Sequence, residues 1–89
     1  MPLNELAVPE RVTGVRQVRR KLEAGELQKL FIARDADEAL VAPLEAEARR
    51  RGIPVERADD MIRLGRACAI SRGASVAGLC RSGASRPLE

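Results

Sequence analysis

Leu30-Phe31-Ile32-Ala33 is an unbroken apolar run, and it restricts the fold more than any other stretch of the chain. On a strand, successive side chains point to opposite sides, so such a run cannot keep one face in water. Together with Leu27 it is expected to form a central strand covered on both faces, and in a short chain that cover has to come from helices. Helical patterns flank it on either side. Across residues 15–24, Val15, Val18 and Leu22 recur at i, i+3 and i+7 and share one stripe at about 100° per residue. Arg16, Gln17 and Arg20 gather on the opposite side. Gly25 is placed to stop this helix in the left-handed conformation. Before it, residues 3–7 read as a short helix stopped by Pro9, and Val12-Thr13 followed by Gly14 as a brief strand and turn.

Beyond the central strand, Arg34-Asp35-Ala36-Asp37 makes a polar turn at the end where open α/β sheets place binding residues. Asp35 and Asp37 suit the capping of helix amides better than the holding of a cation. Pro43 fits a first helical turn better than a helix interior, so the next helix is expected at residues 43–51 after a loose turn at 38–42, ended by Gly52. Ile53-Pro54-Val55 reads as a short strand whose proline suits a strand start or a sheet edge. Asp59 or Asp60 can cap a helix over 61–68, with Met61, Leu64 and Cys68 on one side and Gly65 as its weak spot. A loop at 69–73 then leads to a small-residue strand at 74–80. Alternating strands and helices predict an α/β sandwich with parallel pairs joined by right-handed crossovers. Eighty-nine residues give room for one domain, expected over 1–80, with the Ser-, Gly- and Pro-containing segment 81–89 as a flexible C-terminal tail.

Composition narrows the function. The chain has no histidine, which removes the Ser-His-Asp and Cys-His arrangements, the usual neutral-pH base and every histidine-containing zinc site. Phe31 is the one aromatic residue, so base stacking on aromatic platforms is not expected. Cys68 and Cys80 are too few for a zinc cage or a disulfide framework and read as buried, reduced thiols. Gly73 to Gly78 has the glycine spacing of a phosphate loop, but Leu79 and Cys80 stand where lysine and a hydroxyl residue are required. Lys21 and Lys29 read as surface residues. A non-enzyme without cofactor or metal is expected, with no small-molecule substrate. Glu5 and Glu10 break up the N-terminus where a signal peptide needs an apolar run, and no apolar stretch approaches membrane-spanning length, so a cytoplasmic location and no membrane partner are expected.

The formal charge of +3 is modest, but its distribution is uneven. Arg11, Arg16, Arg19, Arg20 and Lys21 form one acid-free series, and Arg63, Arg66, Arg72, Arg81 and Arg86 another, on either side of an acidic middle. Brought together, they would present a positive face to a polyanion; the alternative is arginine used for solubility.

Four motifs then occur in a specific order: Gly14-Val-Arg-Gln-Val-Arg-Arg20, Leu30-Phe-Ile-Ala-Arg-Asp-Ala-Asp37, Gly52-Ile-Pro-Val55 and Arg63-Leu-Gly-Arg-Ala-Cys-Ala-Ile70. Over residues 3–79 they resemble the ribosomal protein L7Ae/L30e family, and its small bacterial members most. The resemblance implies a three-layer α/β/α sandwich around a four-stranded mixed sheet. It also implies binding of kink-turn RNA, a sharply bent RNA with tandem sheared G·A pairs, on the ribosome or in a structured regulatory RNA. On this pattern Gly14, Arg16, Gln17 and Arg20 would meet the G·A pairs, although the same face could be ordinary solvated helix. Ile70, Ser71 and Arg72 match the second RNA contact, where an apolar residue packs on flipped-out nucleotides; Ile70 could equally be core. Arg34 and Arg63 would contact phosphates, and Asp35 would orient or cap. Departures are Val15 for a common Thr, Arg16 for the Asn of archaeal members, Ala69 for a usual Gly and Ser71-Arg72 for a commoner Glu-Val. They bear on sequence preference and affinity, an arginine-bearing loop favouring phosphate over base contacts. A monomer is expected. The rival expectation is a protein–protein adaptor of the same fold that has lost kink-turn binding.

Overall fold

The computed structural model describes residues 10–81, so the expected helix at 3–7 and most of the expected tail lie outside the described residues. Among the described residues seven elements follow one another: β1 (Arg11–Thr13), α1 (Val15–Glu23), β2 (Leu27–Ala33), α2 (Glu38–Arg50), β3 (Val55–Ala58), α3 (Met61–Ala67) and β4 (Val76–Cys80). The strands form one four-stranded sheet in the order β1-β4-β2-β3. Only the β2–β3 pair is parallel; β4 runs antiparallel to both of its neighbours.

The apolar run in β2 behaves as its alternation requires. Leu30 and Ile32 face a core shared with Val18 and Leu22 of α1 and Val41, Leu44 and Ala48 of α2. Phe31 and Ala33 face the other way, onto Leu64 of α3 and Cys68 at its C-terminal cap. That second core is lined by Ala33, Ala58, Ala74 and Ala77, small residues that leave room for the α3 backbone beside the sheet. Two helices on one face and one on the other make the expected α/β/α sandwich with a mixed sheet.

All three helices end in the same way. The residue after each C-cap is left-handed, Gly25 at φ 73°, Gly52 at 74° and Ala69 at 63°. The amides that follow turn back onto the last helical turn: Glu26 to the Lys21 carbonyl (3.0 Å), Ile53 to Ala48 (2.8 Å) and Ile70 to Gly65 (3.0 Å). This is the Schellman arrangement, which satisfies carbonyls that a helix end would otherwise leave without donors.

Four sequence expectations need correction. The second helix is continuous over Glu38–Arg50 with Pro43 inside it, started by Asp37, whose carboxylate accepts the Ala39 amide at 3.0 Å. Pro43 and Ala39 are both exposed, so the carbonyl deprived of its helical donor is open to water. The third strand begins at Val55, because the Ile53 amide is drawn into the helix end; the Pro54 carbonyl, needing no N–H, accepts from Leu30 (2.9 Å). The fourth begins at Val76, because the Ala74 amide bonds to the Met61 carbonyl (2.9 Å) rather than to a strand. Gly65 is no weak spot: it is buried, and a Cβ there would run into the Arg72 carbonyl oxygen, so glycine is what the packing demands.

Candidate nucleic-acid interface

The directions of the strands bring separated pieces of sequence to one end of the sheet. β1, β2 and β3 finish there and the antiparallel β4 begins there. Backbone bonds stitch the end together: the Gly14 amide donates to the Val76 carbonyl (3.1 Å), the Ala33 amide to Ser75 (2.9 Å) and the Arg34 amide to Ala58 (3.0 Å). Gly14, at φ 89°, turns the chain from β1 into α1, a conformation open to glycine and costly for other residues. A cleft of about 180 Å³ lies at this corner, lined by Thr13, Gly14 and Val15 on one side and Ile70, Arg72, Gly73, Ala74 and Ser75 on the other. The two family motifs that mark the start of α1 and the loop after α3 therefore meet in space.

Arg16 and Gln17 lie in the first turn of α1 and Arg20 one turn on, all exposed, opposite the buried Val18 and Leu22. At about 100° per residue the three span roughly a quarter of the helix circumference. Ile70 is half-buried against the α3 core while also lining the cleft, so it is both core and surface. Its position just past the left-handed Ala69 explains this, since that residue usually packs back on the helix it follows. Ser71 and Arg72 are exposed. Asp35 accepts the Met61 amide at 2.9 Å and so fastens the turn after β2 to the start of α3, while Asp60 accepts the Arg63 amide at 2.7 Å. Arg34 is exposed at the same end of the sheet.

Charge pairing divides the arginines into two classes. In α2 and β3, Arg49 and Arg57 bind Glu45 (2.8 and 2.7 Å), and Arg50 and Arg51 both bind Glu47. Hydrogen bonds from Arg50 and then Arg51 hold the Glu47 carboxyl down at about 2 against an ordinary 4.5, and Glu47 in turn raises the Arg50 guanidinium. Arg63 faces Asp59 at 3.3 Å and Asp60 at 3.6 Å, so it is already part-compensated. Arg11, counted with the basic series, donates instead to the Cys68 carbonyl at 2.9 Å, at the C-terminal end of α3. By contrast, Arg16, Gln17, Arg19, Arg20, Arg34, Arg66, Arg72 and Arg81 make no side-chain hydrogen bond or ion pair among the described residues.

Thr13, Ala74 and Ser75 line the cleft without a local sequence signal, because the pairing of β1 with β4 and the bond from the Ala74 amide to Met61 bring them beside Gly14 and Ile70. Arg19 points elsewhere, into a cleft of about 380 Å³ between α1 and α2 with Leu22, Leu44 and Glu47. Both thiols are buried and unpaired, and burial pushes each above its ordinary pKa, opposed by Arg11 at Cys68 and by Lys21 at Cys80. Among the described residues no cluster of metal-ligating side chains occurs, and no helix is long and apolar enough to cross a membrane.

Comparison with known proteins places this geometry in context. The model of the ribosomal protein L7Ae/L30e/S12e/Gadd45 family matches residues 7–89. The RNA-binding protein YbxF of Geobacillus stearothermophilus is 36% identical over 70 residues, covering 79% of this chain and 85% of its own. A protein of Halalkalibacterium halodurans, also named as RNA-binding, is 38% identical over 68 residues, with 76% and 83% covered. Among solved structures, the 15.5kD RNA-binding protein of Giardia lamblia superposes with a TM-score of 0.83 at 25% identity over 92% of this chain and 72% of that one.

Proposed function

The chain belongs to the ribosomal protein L7Ae/L30e/S12e/Gadd45 family, and from that premise we propose that it is a non-catalytic RNA-binding protein that recognises kink-turn RNA through α1 and the loop at 69–73. The observation that carries the reading is that Arg72 lines the cleft and Arg16, Arg20 and Arg34 stand exposed on the elements that meet there, all without acidic partners among the described residues, whereas the arginines of α2 and β3 are held by Glu45 and Glu47. An unpaired guanidinium gives up only water and side-chain freedom to bind phosphate, whereas a paired one must also give up its carboxylate.

The roles follow from functional groups. Gln17 has a donor and an acceptor to offer a base edge, Arg16 the fork that fits guanine O6 and N7, and Arg20 the reach to bridge base and phosphate. Ile70 offers its apolar side chain to an unstacked base, and Arg34 and Arg72 offer charge to the backbone at the bend. Arg63 contributes less, because Asp59 and Asp60 already hold it. Asp35 acts indirectly, by fixing the turn that carries Arg34 to α3. In this reading the protein acts as a cytoplasmic monomer and binds the bent RNA better than the extended form, shifting an equilibrium the RNA already has. Its target is a ribosomal or a structured regulatory RNA.

The test is a titration, at about physiological salt, of a labelled kink-turn RNA beside the same RNA with its tandem G·A pairs replaced by Watson–Crick pairs. Tight binding to the first alone is expected. Equal, weak binding to both would overturn the reading and favour the adaptor function.

A further inference from the structure

We infer that Gly65, a buried residue of α3 with no side chain to offer a ligand, is a positioning residue for the RNA-binding loop at 69–73. This inference rests on the RNA-binding reading above and deepens it. Gly65 holds the loop in two ways. Its carbonyl accepts from the amides of Cys68 (3.1 Å) and Ile70 (3.0 Å), which sets the left-handed turn at Ala69. Its bare α-carbon leaves a notch in the surface of α3 that the Arg72 backbone fills, so closely that a Cβ would collide with the Arg72 carbonyl oxygen.

The other end of the loop is seated on the same helix, one turn earlier. The Ala74 amide donates to the Met61 carbonyl (2.9 Å), the Ser75 hydroxyl lies 3.5 Å from the Met61 sulfur, and a Cβ at Gly73 would lie 3.1 Å from the Met61 Cβ. Met61 is itself held by Asp35. The loop that carries Ile70 and Arg72 to the cleft is thus pressed onto α3 at Gly65 and at Met61, and its exposed side chains inherit their places from backbone contacts with a helix behind them. Filling the notch lifts Arg72 off that seat while leaving α1, with Arg16, Gln17 and Arg20, where it is. A loop fixed in advance loses less freedom on binding than one that must be ordered by the RNA.

The experiment compares Gly65→Ala with the intact protein, alone and combined with Arg72→Ala or Arg20→Ala, by titration of the same kink-turn RNA. Gly65→Ala is expected to weaken binding by about tenfold, the low end of what losing one well-placed arginine contact costs. Arg72→Ala should then add little in the Gly65→Ala background, while Arg20→Ala adds its full effect, a pattern that general destabilisation would not produce. Full effects of both arginine substitutions in that background would overturn the inference, as would unweakened binding by Gly65→Ala. If Gly65→Ala does not fold, Gly73→Ala makes the milder displacement at the Met61 end and is judged by the same cycle. Amide exchange separates this inference from the function it rests on: faster exchange at Ile70 and Ala74 with Leu30 and Ile32 unchanged is expected whether or not RNA binds. Unchanged exchange at Ile70 and Ala74 would refute the seat, whereas failure of the intact protein to bind any RNA would refute the function alone.

Discussion

Gln17 and Arg20 stand out of the protein for the reason that Val18 and Leu22 stand in it: one helical period assigns them to opposite faces. Neither makes a bond whose loss would be felt by the fold. Truncating either to alanine should therefore change stability by no more than about 0.5 kcal/mol. In the RNA-binding reading the same substitutions remove contacts to base edge or phosphate and should weaken kink-turn binding by about 1–3 kcal/mol for a bidentate base contact. Thermal melts and RNA titrations on the same two variants check both halves, and an unchanged titration curve for both would remove that face from the interface. This face was legible in the sequence because 3.6-residue periodicity is a local property. Other lining residues were not: Thr13 on one side of the cleft and Ser75 on the other enter it through strand register, which spacing along the chain does not encode. Gly65 was misread for the same kind of reason, since propensity counts glycine as a loss inside a helix and is blind to the Arg72 carbonyl that needs the space.

At the scale of elements, the helix ends show where local chemistry speaks and where it is silent. Gly25 and Gly52 announce their left-handed turns; Ala69 takes the same conformation with a Cβ and announces nothing. The left-handed conformation costs a non-glycine residue about 1–2 kcal/mol, and glycine gives back roughly 0.4–1 kcal/mol of this through its freer unfolded chain. Ala69→Gly should thus raise stability by about 0.5 kcal/mol, or a few degrees in Tm, as read by thermal or urea unfolding. A fall in Tm would mean that the methyl group of Ala69 does more than tolerate its conformation. Pro43 was misplaced because the damage a proline does depends on whether the orphaned carbonyl is buried, and only the fold puts Ala39 in water. The α2 ion pairs make a pH prediction with a definite sign. Glu47 titrates at about 2 in the folded chain against 4.5 ordinarily, so its contribution is present above 4.5 and is lost as pH falls from there towards 2. The pairs are exposed and screened, so the effect should be modest and shrink with salt. Urea midpoints between pH 5 and pH 2 should fall less steeply in Glu47→Gln than in the parent, and identical slopes at low salt would show that the network contributes nothing.

Over the whole molecule, the net charge of +3 says little about affinity, because it sums charges that are already spoken for. The acids collect around α2 and β3, where they occupy Arg49, Arg50, Arg51 and Arg57. Arg16, Arg19, Arg20, Arg34, Arg66, Arg72 and Arg81 are left without acidic partners among the described residues. A molecule so divided should bind RNA with a salt dependence set by the second group, whatever its total charge. Each phosphate contact adds about 0.7–0.9 to the slope of log K against log salt, so Arg34→Ala or Arg72→Ala should each lower that slope by about this amount. Arg49→Ala removes the same formal charge from α2 and should leave the slope unchanged, because Glu45 and not phosphate holds that guanidinium. Arg63→Ala should fall between them, since a contact made there displaces Asp59 and Asp60 before it neutralises phosphate. Binding isotherms for the four variants over a series of salt concentrations decide the matter. Equal losses of slope in all four would mean that only total charge matters, and the RNA would then have no reason to choose the cleft at the end of the sheet over any other surface of the protein.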